Sequence, residues 1–110
     1  MNDNAQAWLR LLDDAEYELC WQNAAEYFRN SVSLEEWKEK GSSARSAVGH
    51  LQTRKLKQSH ATDDIGVGPK GKYCICEYDC VFSSVGSIVE RVTLLQEDDG
   101  QYRVIGYYLI

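Results

Sequence analysis

At 110 residues, with 44% hydrophobic and 11% aromatic residues, the chain is long enough for one buried core and too apolar for disorder. Its formal net charge of -5 excludes a nucleic-acid surface built on a basic stripe. No apolar run approaches the roughly 18 residues of a transmembrane helix, so no membrane span is expected.

The first predicted helix runs from about Asn4 to Leu12, with Ala5, Trp8, Leu9 and Leu12 on one stripe. Asp13-Asp14 breaks it, and Asp14 is placed to cap the next. In that second helix Tyr17, Cys20, Trp21, Ala24, Ala25, Phe28 and Val32 keep helical spacing, with Glu16, Glu18, Glu26 and Arg29 pointing away. Ser33-Leu34-Glu35-Glu36 reads as a capping box, flanked by Val32 and Trp37 as a hydrophobic staple. The third helix then carries Trp37, Gly41, Ala44 and Val48, a stripe mostly of small residues, and Gly49 stops it.

His50 to Thr62 reads as a polar first strand. Leu51 and Leu56 have opposite parity, which an edge position or a bulge reconciles. Residues 50–72 carry five bases and two acids, between flanks that are each acidic by four charges. A solvated strand and loop accounts for that segment more simply than an anionic partner does. Asp63 to Gly71 is a glycine-rich loop with the single proline. Tyr73 to Phe82, Ile88 to Leu95 and Tyr102 to Ile110 then form an antiparallel meander of β-branched and aromatic runs, its last turn marked by Asp99-Gly100. Helices followed by strands imply one α+β domain over residues 1–110, with three helices laid on a curved four-stranded sheet.

Gly66-Val67-Gly68-Pro69-Lys70-Gly71-Lys72 matches the opening of a phosphate-binding loop. Tyr73 replaces the magnesium-binding Ser or Thr, however, and a strand follows where a helix is needed. Cys74, Cys76 and Cys80 share one strand face with Tyr78 and Phe82. Ligands spaced along a strand diverge, so small core thiols fit better than a metal site, and no metal or cofactor is expected. Cys20 reaches one of them only if helix and strand pack suitably, and four reduced, buried thiols are the expectation. His50 and His60 are too far apart on an extended strand to act together.

Glu90 is the one catalytic candidate, because it shares a face with Ile88, Val92 and Leu94. A carboxyl buried there can act as general acid or base, with Tyr78 as a polar partner. The structural alternatives are that this face is in part exposed to solvent, or that Glu90 forms an ion pair across the hairpin, for example with Arg103. Trp8, Trp21, Tyr27, Tyr78 and Glu90 are the expected ligand-binding set, lining the open end of a cone. The opposite sheet face offers Tyr73, Ile75, Val81, Ile105, Tyr107 and Leu109 for a homodimer.

Ala7-Trp8-Leu9, Tyr17, Trp21, Ala25 through Phe28 and Ser33 through Trp37 resemble the helical half of a bacterial domain-of-unknown-function family, number 4019. Glu90-Arg91-Val92-Thr93-Leu94 and Asp99 through Tyr107 are similar to its C-terminal signature. Tyr102 stands where that family typically has tryptophan, and the cysteine-rich strand replaces an aliphatic one. The resemblance implies a cystatin-like or nuclear-transport-factor-2-like cone and no established activity. Met1-Asn2-Asp3-Asn4 has no signal-peptide character, so a cytoplasmic home is expected as the chain stands. The export signals common in the family would make it periplasmic.

The sequence thus favours a non-catalytic binding or interaction module. It would take a small, partly apolar ligand in the cone, or a protein partner on its sheet. The alternative is a small hydrolase or isomerase that uses Glu90.

Overall fold

The computed structural model describes residues 2–110. Its first helix, α1 (Asn2–Asp13), buries all of Ala5, Trp8, Leu9 and Leu12, the stripe that a 3.6-residue repeat puts on one side. Trp8 Nε1 donates to the Cys20 carbonyl at 2.9 Å, which fastens α1 to the helix that follows.

The expected second helix is in fact two, α2 (Tyr17–Gln22) and α3 (Glu26–Ser31), so the described residues form four helices and not three. A single backbone bond explains the break. Ala25 is extended (φ -62°, ψ 150°) and donates its N–H to the Val104 carbonyl in the last strand at 2.8 Å. A helical Ala25 would give up that link to the sheet. Asp14 does not cap α2 either: the N-cap is Glu16, which makes no side-chain capping bond. At the start of α3 the cap comes from far along the chain, where Glu97 Oε2 accepts from the Glu26 N–H at 2.8 Å.

The longest helix, α4 (Leu34–Val48), starts at the predicted capping box. Ser33 Oγ accepts from the Glu36 N–H, and Glu36 Oε1 accepts from the Ser33 N–H, both at 3.1 Å. It ends at Gly49, whose φ of 86° and closeness to Ser83 leave no room for a side chain: a Cβ would lie 2.4 Å from Ser83 Oγ. Among the described residues no helix is long and apolar enough to cross a membrane.

Strands β1 (Leu51–Thr62), β2 (Tyr73–Phe82), β3 (Gly86–Gln96) and β4 (Tyr102–Leu109) form an open antiparallel meander in the order β1-β2-β3-β4. The Asp99-Gly100 turn closes the last hairpin, with Gly100 at φ 84° and its N–H bonded to the Glu97 carbonyl at 2.8 Å. β1 is both an edge strand and irregular, with register shifts after Leu51 and after Leu56. The glycine-rich loop leads into β2, and Tyr73 Oη donates to the Pro69 carbonyl beneath it.

Helices and sheet meet over the inner faces of β2, β3 and β4. Cys74, Cys76, Tyr78, Cys80 and Phe82 face Val92, Leu94, Val104 and the helical residues Trp8, Phe28 and Trp37, all buried. The rings form a continuous layer, with centroids 5.6 Å apart for Trp8–Trp37 and Phe28–Trp37, and 5.7 Å for Trp8–Tyr107. All four cysteines are free and buried.

Tyr107 and Leu109 depart from expectation. The β3–β4 register passes from Thr93↔Gly106 to Leu94↔Val104, which leaves Ile105 as an extra residue in the ladder. One extra residue reverses the parity of everything beyond it. Tyr107 and Leu109 therefore pack against the buried cluster, and Tyr108 takes the outer face.

Candidate functional site

Glu90 occupies the middle of the inner face of β3 and is fully buried. Its neighbours follow from register. Tyr78 stands opposite on β2, and Cys80, two residues along on the same face, is itself paired with Arg54 of β1. Arg54 reaches across β2: its Nε lies 2.8 Å and its Nη2 2.7 Å from Glu90 Oε1. Cys80 Sγ donates to the same oxygen at 3.2 Å, and Tyr107 Oη donates to Glu90 Oε2. Three of these contacts converge on Oε1 and one on Oε2, and the full burial of Glu90 keeps the carboxylate out of reach of a substrate proton.

The network continues outward. Arg54 Nη1 bonds Asp13 Oδ2 at 2.8 Å, and its Nη2 bonds Asp13 Oδ1 at 2.9 Å, at the C-terminal end of α1. Asp13 Oδ1 also accepts from Arg45 Nη2 of α4 at 2.9 Å, and the Arg45 guanidinium carbon sits 5.0 Å from the centre of the Phe82 ring. Arg45–Asp13–Arg54–Glu90 therefore alternates in sign and ties α1, α4, β1 and β3 together.

Burial opposes ionisation of Asp13, but its two guanidinium partners outweigh that and hold its carboxyl below the usual range. Burial, reinforced by the Glu90 charge, raises Tyr107 well above an ordinary phenol. The same two causes push the Cys80 thiol up to about 12. Burial also takes Cys20 and Cys76 to about 12. Cys74 Sγ and Cys76 Sγ lie 3.8 Å apart in the core. Among the described residues no cluster of His, Cys, Asp or Glu is arranged to hold a metal ion.

The expected ion pair between Glu90 and Arg103 is not made. Arg103 binds Glu97 Oε1 at 2.8 Å and Asp99 Oδ2 at 2.8 Å, because the register sets it beside Leu95 and sets Leu109 beside Glu90. The five expected ligand-binding residues do not converge on one space. Tyr78 and Glu90 are cross-strand neighbours, both fully buried, and Trp8 packs at a tilt against the ring of Tyr107, whose hydroxyl bonds Glu90. Trp21 is half-buried, with Nε1 on the Val32 carbonyl at 2.8 Å. Tyr27 lies 44% exposed on α3, beside Gly68 of the loop.

Two concavities flank the buried network. A cleft of about 360 Å³ opens between α1 and β4, with Trp8, Leu11, Leu94 and Val104 among its apolar walls and Asn4, Asn23, Gln101 and Arg103 among its polar groups. The second, about 540 Å³, lies where α1 and α4 end and β1 begins, and Asp13, Tyr17, Arg45, Ser46 and His50 are among its lining residues. Arg45 and Arg54 escaped the reading of the sequence. Arg45 had a visible signal, since it falls four residues after Gly41 and three before Val48, on the buried stripe itself. Arg54 had none, because β1 looks solvated along its whole length.

The model of a family described as a protein of unknown function (DUF4019) matches residues 4–107. No curated protein matches the chain.

Proposed function

The chain belongs to the DUF4019 family, of unknown function, and we propose that it is a non-catalytic binding module for a small, partly apolar ligand. The ligand would occupy the cleft between α1 and β4, with Trp8 on its wall. The observation that carries this reading is the make-up of that cleft: apolar walls from a helix and two strands, and a few convergent amide and guanidinium groups. Asn4 spans it structurally, with Nδ2 bonded to the Tyr102 carbonyl at 2.9 Å. The full burial of Glu90 and its pairing with Arg54 favour binding over the hydrolase or isomerase alternative, since a general base needs a reachable proton.

A homodimer through the outer sheet face is the companion proposal, with less to support it. With Tyr107 and Leu109 turned inward and Tyr73 buried, that face keeps half-buried Ile75, Val81, Val89 and Ile105 and exposed Tyr108 among its apolar groups.

The test is a fluorescence titration with 1-anilinonaphthalene-8-sulfonate, repeated on Ala7→Trp. Ala7 lines the cleft yet is exposed, so the larger ring fills the space without disturbing the core. Saturable binding that disappears in Ala7→Trp supports the reading. Binding untouched by that substitution, or none at all, overturns it.

A further inference from the structure

The Arg45–Asp13–Arg54–Glu90 cluster is balanced in charge and unbalanced in hydrogen bonds. Two guanidiniums carry about ten N–H groups against about eight carboxylate lone-pair sites, for which Cys80 and Tyr107 also compete, and the unmatched donors fall on Arg45. This side chain is only 9% exposed, and its Nε and Nη1 are out of contact with solvent and have no acceptor. Leaving buried charged donors unsatisfied is costly, so such a group needs an explanation.

Arg45 also lines the cavity at the ends of α1 and α4. Asp13 there is engaged by both arginines, but no hydrogen bond is made by the Tyr17 hydroxyl, the Ser46 hydroxyl or the His50 ring among the described residues. Leu12 and Leu51 supply apolar wall. Asp13 sits at the same cavity and already neutralises part of the local positive charge, which disfavours a dianion such as phosphate.

We propose that this cavity binds a small organic monocarboxylate, its oxygens accepting from Arg45 and its carbon skeleton lying against Leu12, Leu51 and Tyr17. The side chains over Nε and Nη1 part as the carboxylate enters. This site is separate from the α1–β4 cleft, and shares no lining residue with it.

The experiment is a nitrogen–proton NMR titration of the whole protein with benzoate, with inorganic phosphate in parallel. Saturable benzoate shifts are expected at the Arg45 Nε–H signal and at the amides of Ser46, Gly49 and His50, with phosphate binding much more weakly. Arg45→Met keeps the stem against Phe82 and should weaken benzoate roughly tenfold or more, since a charge-assisted bond is lost. Ser46→Asp, at an exposed lining position, serves as the second variant; it should weaken benzoate by repulsion while leaving the fold intact. Shifts that stay linear with benzoate, that persist at full strength in both variants, or that saturate at Trp8 and Tyr102 alone overturn the proposal. Phosphate that binds as tightly as benzoate overturns the carboxylate assignment.

Discussion

Tyr107 reaches Glu90 from the neighbouring strand, its hydroxyl donating to Oε2, only because Ile105 is left over in the β3–β4 ladder. Without that extra residue the phenol would face outward and Glu90 Oε2 would lose its hydroxyl donor. Tyr107→Phe keeps the ring against Trp8 and removes the hydrogen bond alone. The expected loss is about 1–3 kcal/mol, the penalty for stranding a buried charged acceptor, measured as a lower urea midpoint at unchanged slope. An unchanged midpoint would contradict the role given to this pair.

Glu90→Gln tests whether the carboxylate is a structural anion. The amide has nearly the same shape but leaves Arg54 with Asp13 as its remaining carboxylate partner. A fall of about 3 kcal/mol in unfolding free energy is expected, as for other broken buried pairs. Glu90→Leu combined with Arg54→Met should recover much of it, because the pair is then replaced by apolar volume. A double variant no better than the worse single one would argue against a paired, mainly structural role.

Acid should expose the Asp13 contribution. Its carboxyl is held below the ordinary value of 3.8 in the folded protein, so the unfolded chain takes up the proton first as pH falls. The stabilisation is therefore complete above pH 3.8 and is lost as the pH drops below it through the depressed folded value. Chemical denaturation at a series of pH values should show this loss in the native chain and a shallower one in Asp13→Asn. Parallel curves would rule out Asp13 as its source.

The thiols should be silent in the folded state. All four are buried, and Cys20, Cys76 and Cys80 titrate near 12, far above the pH of a standard thiol assay. Reaction with a chromogenic disulfide at pH 8 is expected to release no colour promptly from native protein and four equivalents in guanidinium chloride. A prompt native equivalent would place one cysteine at the surface.

Much of the architecture was legible because its signals are local. The capping box at Ser33 and the Asp99-Gly100 hairpin depend on residues a few positions apart, and each forms where the sequence puts it. The parity of β3 put Glu90 on an apolar face without deciding its burial, and it is buried there. The misreadings share a different cause. The break at Ala25 comes from a bond to Val104, the partner of Glu90 is Arg54 and not Arg103, and the facing of Tyr107 depends on a bulge. Each depends on a residue elsewhere in the chain or on a count of residues in the facing strand. Periodicity along one segment carries neither.

β1 is the feature whose consequence reaches beyond the single chain. One side of it pairs with β2, and the other offers a row of unclaimed backbone donors and acceptors, a template on which a stray strand could polymerise. Exposed Lys55 and Lys57 and the two slips in its register spoil that template, since an incoming strand must crowd ammonium groups and match a broken spacing. Growth of the sheet past β1 is thereby discouraged by the chemistry of that strand alone.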